Sequence, residues 1–183
     1  MNSSICELSL IFKTSSAATQ RTFHFFGSKK ELAGTLFLEI LARYHAAIIA
    51  AVDGSCDARE GVARLIRAHL EWVVSSRREA RYLFEISRGE WTEEVRGAQR
   101  AQNSRLAEAV ERWRAPLVAR GELLPMTSPV FFSQIIGPAQ IFCRAFLSGR
   151  DRTDPREQAE ILIACAIRAV VAPDVIQKPG ETA

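Results

Sequence analysis

Apolar residues recur at intervals of three and four along most of the chain, in segments closed by Gly54, Gly121, Gly149 and Pro173. The segment from Ala58 is the cleanest. Val62, Leu65, Ile66, His69, Leu70, Val73 and Val74 form one stripe, with Arg59, Arg64, Arg67 and Glu71 on the opposite side. Start signals agree with the stops: Ser28 with Glu31 and Asp57 with Glu60 are spaced as capping boxes, Ser128 precedes Pro129, and Asp154 precedes Pro155 with Glu157 three residues after the cap. The pattern predicts helices over Lys29–Asp53, Ala58–Ser76, Pro129–Leu147 and Pro155–Ala172, a long one from about Trp91 to Arg120, and a short one over Ala80–Ser87. No strand pattern survives, so the expected fold class is all-α.

The helices from Pro129 and Pro155 differ from the rest. In the first, Phe131, Phe132, Ile135, Ile136, Ile141, Phe142, Phe146 and Leu147 cover most of the circumference, and Ile161, Leu162, Ile163, Cys165, Ile167, Val170 and Val171 do the same in the second. A helix apolar nearly all round has to be covered nearly all round, and a body of this size covers one side of two terminal helices. A second copy would cover the other, making a four-helix interface across a two-fold axis. The residues expected there are Phe132, Ile136, Ile141, Phe142, Leu162, Cys165 and Ile167. Burial of both helices at the centre of a monomer is the alternative. Within the first of them, Gly137 and Pro138 predict a bend or a freed carbonyl near Ser133 and Gln134.

Composition sets bounds on this picture. With 183 residues, 48% hydrophobic and 25% charged, the chain can build one good core and a small appended module. Cys6, Cys56, Cys143 and Cys165 lie far apart without a CxxC pair, which reads as free thiols in a reducing cytoplasm. No run of eighteen uncharged apolar residues exists and the opening MNSSICELSLIFKT has no basic leader, so neither secretion nor a membrane span is expected. A net charge of +3 diagnoses no nucleic-acid binder alone, but residues 1–30 set Lys13, Arg21, Lys29 and Lys30 against the single acid Glu7. No metal-ligand spacing, GxSxG or Walker loop is present, and His24, His45 and His69 lie on different segments. The reading is a non-enzyme without metal or cofactor.

One segment carries more specific information. Thr22 to Leu32 reads TFHFFGSKKEL, with Phe23, Phe26 and Leu32 placed to pack inward and Lys29 at the start of a capped helix. This resembles the signature of the TetR family of transcriptional regulators, and PVFFSQIIGPAQIFCRAFLSGR resembles the penultimate, dimer-forming helix of many members. In that register Leu8, Ile11 and Ala17 fall where the family keeps apolar residues of its helix-turn-helix, and Ala18 to Phe25 would be the recognition helix. The resemblance implies DNA contacts from Thr19, Gln20, Arg21, Phe23, His24 and Lys29, with short polar and basic side chains entering the major groove and the helix that Lys29 opens gripping a phosphate. It also implies a head shortened by its first helix, with roughly the first 20 residues irregular.

The domains expected are a partial helix-turn-helix region over 1–45, a helical regulatory and dimerisation body over 46–173 and a tail over 174–183. The family likeness implies a small-molecule effector held between the middle helices, with Trp72, Phe84, Trp91 and Trp113 as walls and His69, Gln102 and Gln134 as orienting polar groups. The function read from the chain is a ligand-responsive repressor that binds palindromic operator DNA as a cytoplasmic homodimer. The alternative is a helical dimer without autonomous DNA binding, acting as an effector-binding or mixed-dimer partner.

Overall fold

The structure, a computed structural model, describes residues 29–54, 57–86 and 91–173. Six α-helices are present among these: α1 (Lys29–Val52), α2 (Ala58–Ser75), α3 (Arg77–Arg81), α4 (Glu93–Ala119), α5 (Ser128–Leu147) and α6 (Ala159–Val170). A π-helical turn, Tyr82–Ile86, extends α3, and a 3-10 turn, Pro155–Gln158, leads into α6. No strand occurs among the described residues; one isolated bridge joins Leu123 to Val171. The fold is all-α.

Local chemistry explains most boundaries. Asp57 caps α2, its side chain accepting from the Glu60 amide at 2.8 Å, and Asp154 accepts from the Arg156 amide at 2.9 Å. Thr92 caps α4 by accepting from the Val95 amide. At the end of α4, Gly121 takes φ +75°, so the Glu122 amide can reach back to the Leu117 carbonyl at 2.9 Å. Two stretches depart from the pattern read in the sequence. The short helix begins at Arg77 rather than Ala80 and widens into the π turn, and the last helix opens as a 3-10 turn and stops at Val170. The boundary drawn at residue 45 falls inside α1, which is one uninterrupted helix.

α5 likewise runs unbroken through Pro138. Pro138 has no N–H to give the Gln134 carbonyl, and Gln134 lies on the exposed side where water can take that role. Proline also sits inside α4, at Pro116.

α2 is the axis of the body, packed against α1, α5 and α6. Its stripe follows the one the sequence marked: Val62, Leu65, Ile66, His69, Leu70 and Val73 are fully buried and Val74 half-buried, while Arg59, Arg64, Arg67 and Glu71 face solvent. The approach of α4 is set by Gly61, where a β-carbon would lie 2.0 Å from Cζ2 of Trp113. No side chain fits there while the indole keeps its place. Arg114, buried on the same helix, is held by Glu111 at 2.7 Å and the Met126 carbonyl at 2.8 Å, and lies 5.4 Å from the Phe131 ring centroid. These contacts fix the turn between α4 and α5. The Leu124 amide and the Val170 carbonyl, 2.9 Å apart, clamp that turn to the end of α6.

α1 and α5 are long and apolar enough to cross a membrane by length and composition alone. Both nevertheless bury one face in this core, α1 through Phe37, Ile40, Tyr44 and Ile48 and α5 through Phe131, Ile135, Ala139 and Cys143.

Candidate functional site

α1, α2 and the π turn bring four rings together. Tyr44 of α1 stands 4.9 Å from Trp72, 5.4 Å from Phe84 and 5.8 Å from His69, centroid to centroid, and its hydroxyl lies 3.0 Å from His69 Nδ1. His45, the next residue, lies 5.9 Å from the Tyr44 ring and hydrogen-bonds the backbone of Gln102 on α4. Gln102 in turn donates its side-chain amide to the Leu38 carbonyl at 3.2 Å. The chain of contacts His69–Tyr44–His45–Gln102 therefore links three helices through one polar seam within an aromatic cluster.

Burial decides the charge state of this seam. It pushes His69 down to about 4, lowers His45 as well, and raises the Tyr44 hydroxyl far out of the physiological range. Cys143, whose side chain reaches the same region from α5, is pushed up to about 12. At neutral pH all four groups are uncharged. Three of the polar atoms here have no hydrogen-bond partner among the described residues: His69 Nε2, His45 Nδ1 and Gln102 Oε1. A buried polar atom left unpaired costs roughly 1–3 kcal/mol, so three of them on neighbouring residues single out this seam within an otherwise well-satisfied core.

A half-open cleft of about 280 Å³ lies elsewhere, between the ends of α1 and α4, lined by Ile49, Val52, Asp53, Arg112, Trp113 and Arg120. The outer surface carries a different feature. Of the four large apolar residues that are well exposed among the described residues, three lie on α5 and α6: Val130 at 46% and Ile141 at 69% on α5, and Ile161 at 57% on α6. α5 and α6 pack against each other, so these rows lie on neighbouring helices.

No protein-family model and no curated protein matches the sequence. Solved structures do match. A TetR family transcription regulator from Marinobacter aquaeolei VT8 superposes with a TM-score of 0.65 at 19% identity, over 84% of this chain and 78% of that one. A putative TetR family transcription regulator from Shewanella sp. PV-4 superposes with a TM-score of 0.56 at 21% identity, over 85% of this chain and 81% of that one. The fold is that of TetR-family transcription regulators.

Within this TetR-like body the residues singled out from the sequence fall into distinct places. His69, Trp72 and Phe84 meet around Tyr44, and Gln102 joins them through His45. Trp91 stacks on Phe37 at 5.1 Å, further along α1, and Trp113 lines the separate cleft over Gly61. Gln134 is not among them: it is exposed on α5, because Ile135 and Ile136 beside it turn into the core. Ile136, expected at an interface, is itself 8% exposed and belongs to the monomer core. Phe132, Phe142, Leu162 and Ile167 are half-buried, while Ile141 and Cys165 are exposed.

Lys29 is exposed at the start of α1; Thr19, Gln20, Arg21, Phe23 and His24, with the remainder of the head and the tail after Pro173, lie outside the described residues. Sequence reasoning missed Tyr44 and His45 as members of this seam. The signal was available in α1, where a hydroxyl-bearing Tyr44 interrupts the apolar series Phe37, Ile40, Leu41 and Ile48 beside a histidine.

Proposed function

We propose that the chain is a ligand-responsive transcription regulator, a repressor that binds palindromic operator DNA as a cytoplasmic homodimer. The observation that carries this reading is the apolar face of α5 and α6, with Ile141 and Ile161 more than half exposed in a body of TetR-regulator fold. Apolar area of this kind on the last two helices is stabilised by burial against an identical surface, since an isologous contact presents each row to its own copy. A dimer closed there sets two N-terminal heads at a fixed separation, the requirement for reading two half-sites about one helical turn apart.

Switching follows from the same geometry. α1 begins at Lys29, next in sequence after the proposed DNA-binding segment, and runs into the aromatic cluster at Tyr44. A ligand wedged between Tyr44, Trp72 and Phe84 therefore acts on the helix that carries the head, and shifts the equilibrium by its differential affinity for the two head spacings. The matching experiment is a titration of the purified chain onto duplex from its own upstream region at two salt concentrations. Specific binding that weakens steeply between about 50 and 200 mM salt is expected. An intact dimer that prefers no duplex over random sequence would replace the regulator by an effector-binding partner protein.

A further inference from the structure

α1 and α4 run side by side in the same direction, and the contact between them changes along their length. Near the start of α1 they meet closely: a β-carbon on Gly34 would lie 2.7 Å from Val95 Cγ2, and Gln102 donates to the Leu38 carbonyl at 3.2 Å. At their far ends the half-open cleft of about 280 Å³ lies between them. Ile49, Val52 and Leu117 give it an apolar floor beside Trp113. Its volume falls just under the roughly 300–1,000 Å³ of pockets for drug-sized ligands, which suits a small metabolite.

The charged groups of the cleft come from both helices. Arg112, Pro116 and Arg120 recur at intervals of four and so follow one row along α4, while Asp53 lines the cleft from the end of α1. Arg120 is already engaged, its Nε 2.6 Å from the Glu122 carboxylate. Arg112 and Asp53 are not: among the described residues neither side chain makes an ion pair or a hydrogen bond, with each other or with any other group. Asp53 also stands directly after the last residue of α1, the end of a helix where the macrodipole disfavours an acid, so helix stability does not account for its carboxylate.

One unpaired cation and one unpaired anion therefore border a single apolar floor. An uncharged ligand would strip water from both without replacing it, and a simple anion or cation would satisfy one while meeting its own sign of charge at the other. We propose that this cleft binds a zwitterion with an apolar body, of the class of a free apolar α-amino acid. Its carboxylate meets the planar fork of the Arg112 guanidinium, its ammonium meets Asp53, and its side chain lies on Ile49, Val52 and Leu117. The site is separate from the aromatic cluster around Tyr44 and does not depend on the chain's binding DNA.

Three probes that share one phenyl ring test this on the full chain: L-phenylalanine, hydrocinnamate, which lacks the ammonium, and phenethylammonium, which lacks the carboxylate. Binding is read by isothermal calorimetry and by tryptophan emission, since Trp113 lines the cleft. L-phenylalanine is expected to bind at least roughly tenfold more tightly than either singly charged probe. Arg112→Gln should abolish its preference over phenethylammonium, and Asp53→Asn its preference over hydrocinnamate, each leaving the other comparison intact. Both residues are exposed, so both variants should melt with the parent chain. A singly charged probe that matches L-phenylalanine, or either preference surviving its substitution, would overturn the assignment; so would the absence of binding by all three probes at millimolar concentration.

Discussion

Gly61→Ala is expected to destabilise the fold by about 3 kcal/mol, because the new methyl would stand 2.0 Å from the Trp113 indole. The usual gain of about 1 kcal/mol for alanine over glycine inside a helix does not offset this. Relief would require α4 to slide away from α2, and with it the turn that Arg114 holds against α5. Urea unfolding of a double-mutant cycle checks the cause: Trp113→Leu alone costs stability through the cavity it leaves, but combined with Gly61→Ala the losses should fall well short of additive. Full additivity would mean that the indole does not set the helix spacing.

The second large effect is acid sensitivity. Burial holds His69 at about 4 in the folded chain against 6.5 when exposed. The unfolded state therefore binds more protons than the native state between these values, and stability falls as pH drops from about 6.5 towards 4. The full difference is about 3 kcal/mol, reached below pH 4, where both states are protonated and no further loss accrues from this group. His45, lowered in the same direction, adds to the trend. Denaturant midpoints measured at pH 7, 5.5 and 4.5 should decline, and His69→Phe should flatten that decline even though it leaves the Tyr44 hydroxyl without its acceptor. A slope unchanged by His69→Phe would place the acid lability elsewhere.

How much of this was legible beforehand differs between scaffold and site. Helix boundaries came through because they are local: Asp57, Asp154 and Gly121 each act within a few residues, and the α2 stripe needs only a 3.6-residue period. The aromatic cluster is only half local. Trp72 and His69 share one helix face and could be paired from spacing, but Tyr44 and Phe84 arrive from other elements. Gln134 shows the opposite failure. On an apolar helix it looked like a polar group aimed inward, yet a rotation of about 100° per residue puts it outside once Ile135 and Ile136 face the core. Ile136 is buried within its own chain, since period alone does not say which apolar face of α5 packs on the body. Trp91 and Trp113 were grouped with Trp72 and Phe84 as walls of one pocket, but their separation along the body depends on how α4 crosses α1 and α2, which no local signal carries.

The exposed apolar face of α5 and α6 underlies the whole functional reading, and sedimentation velocity of the full chain at micromolar concentration tests the proposed dimer most directly. A single species of twice the monomer mass is expected, with Ile141→Lys, at the most exposed apolar position, sedimenting as a folded monomer because it would bury an unpaired charge against its own copy. A parent chain that sediments as a monomer, or an Ile141→Lys variant that remains as tight a dimer as the parent, would contradict the account.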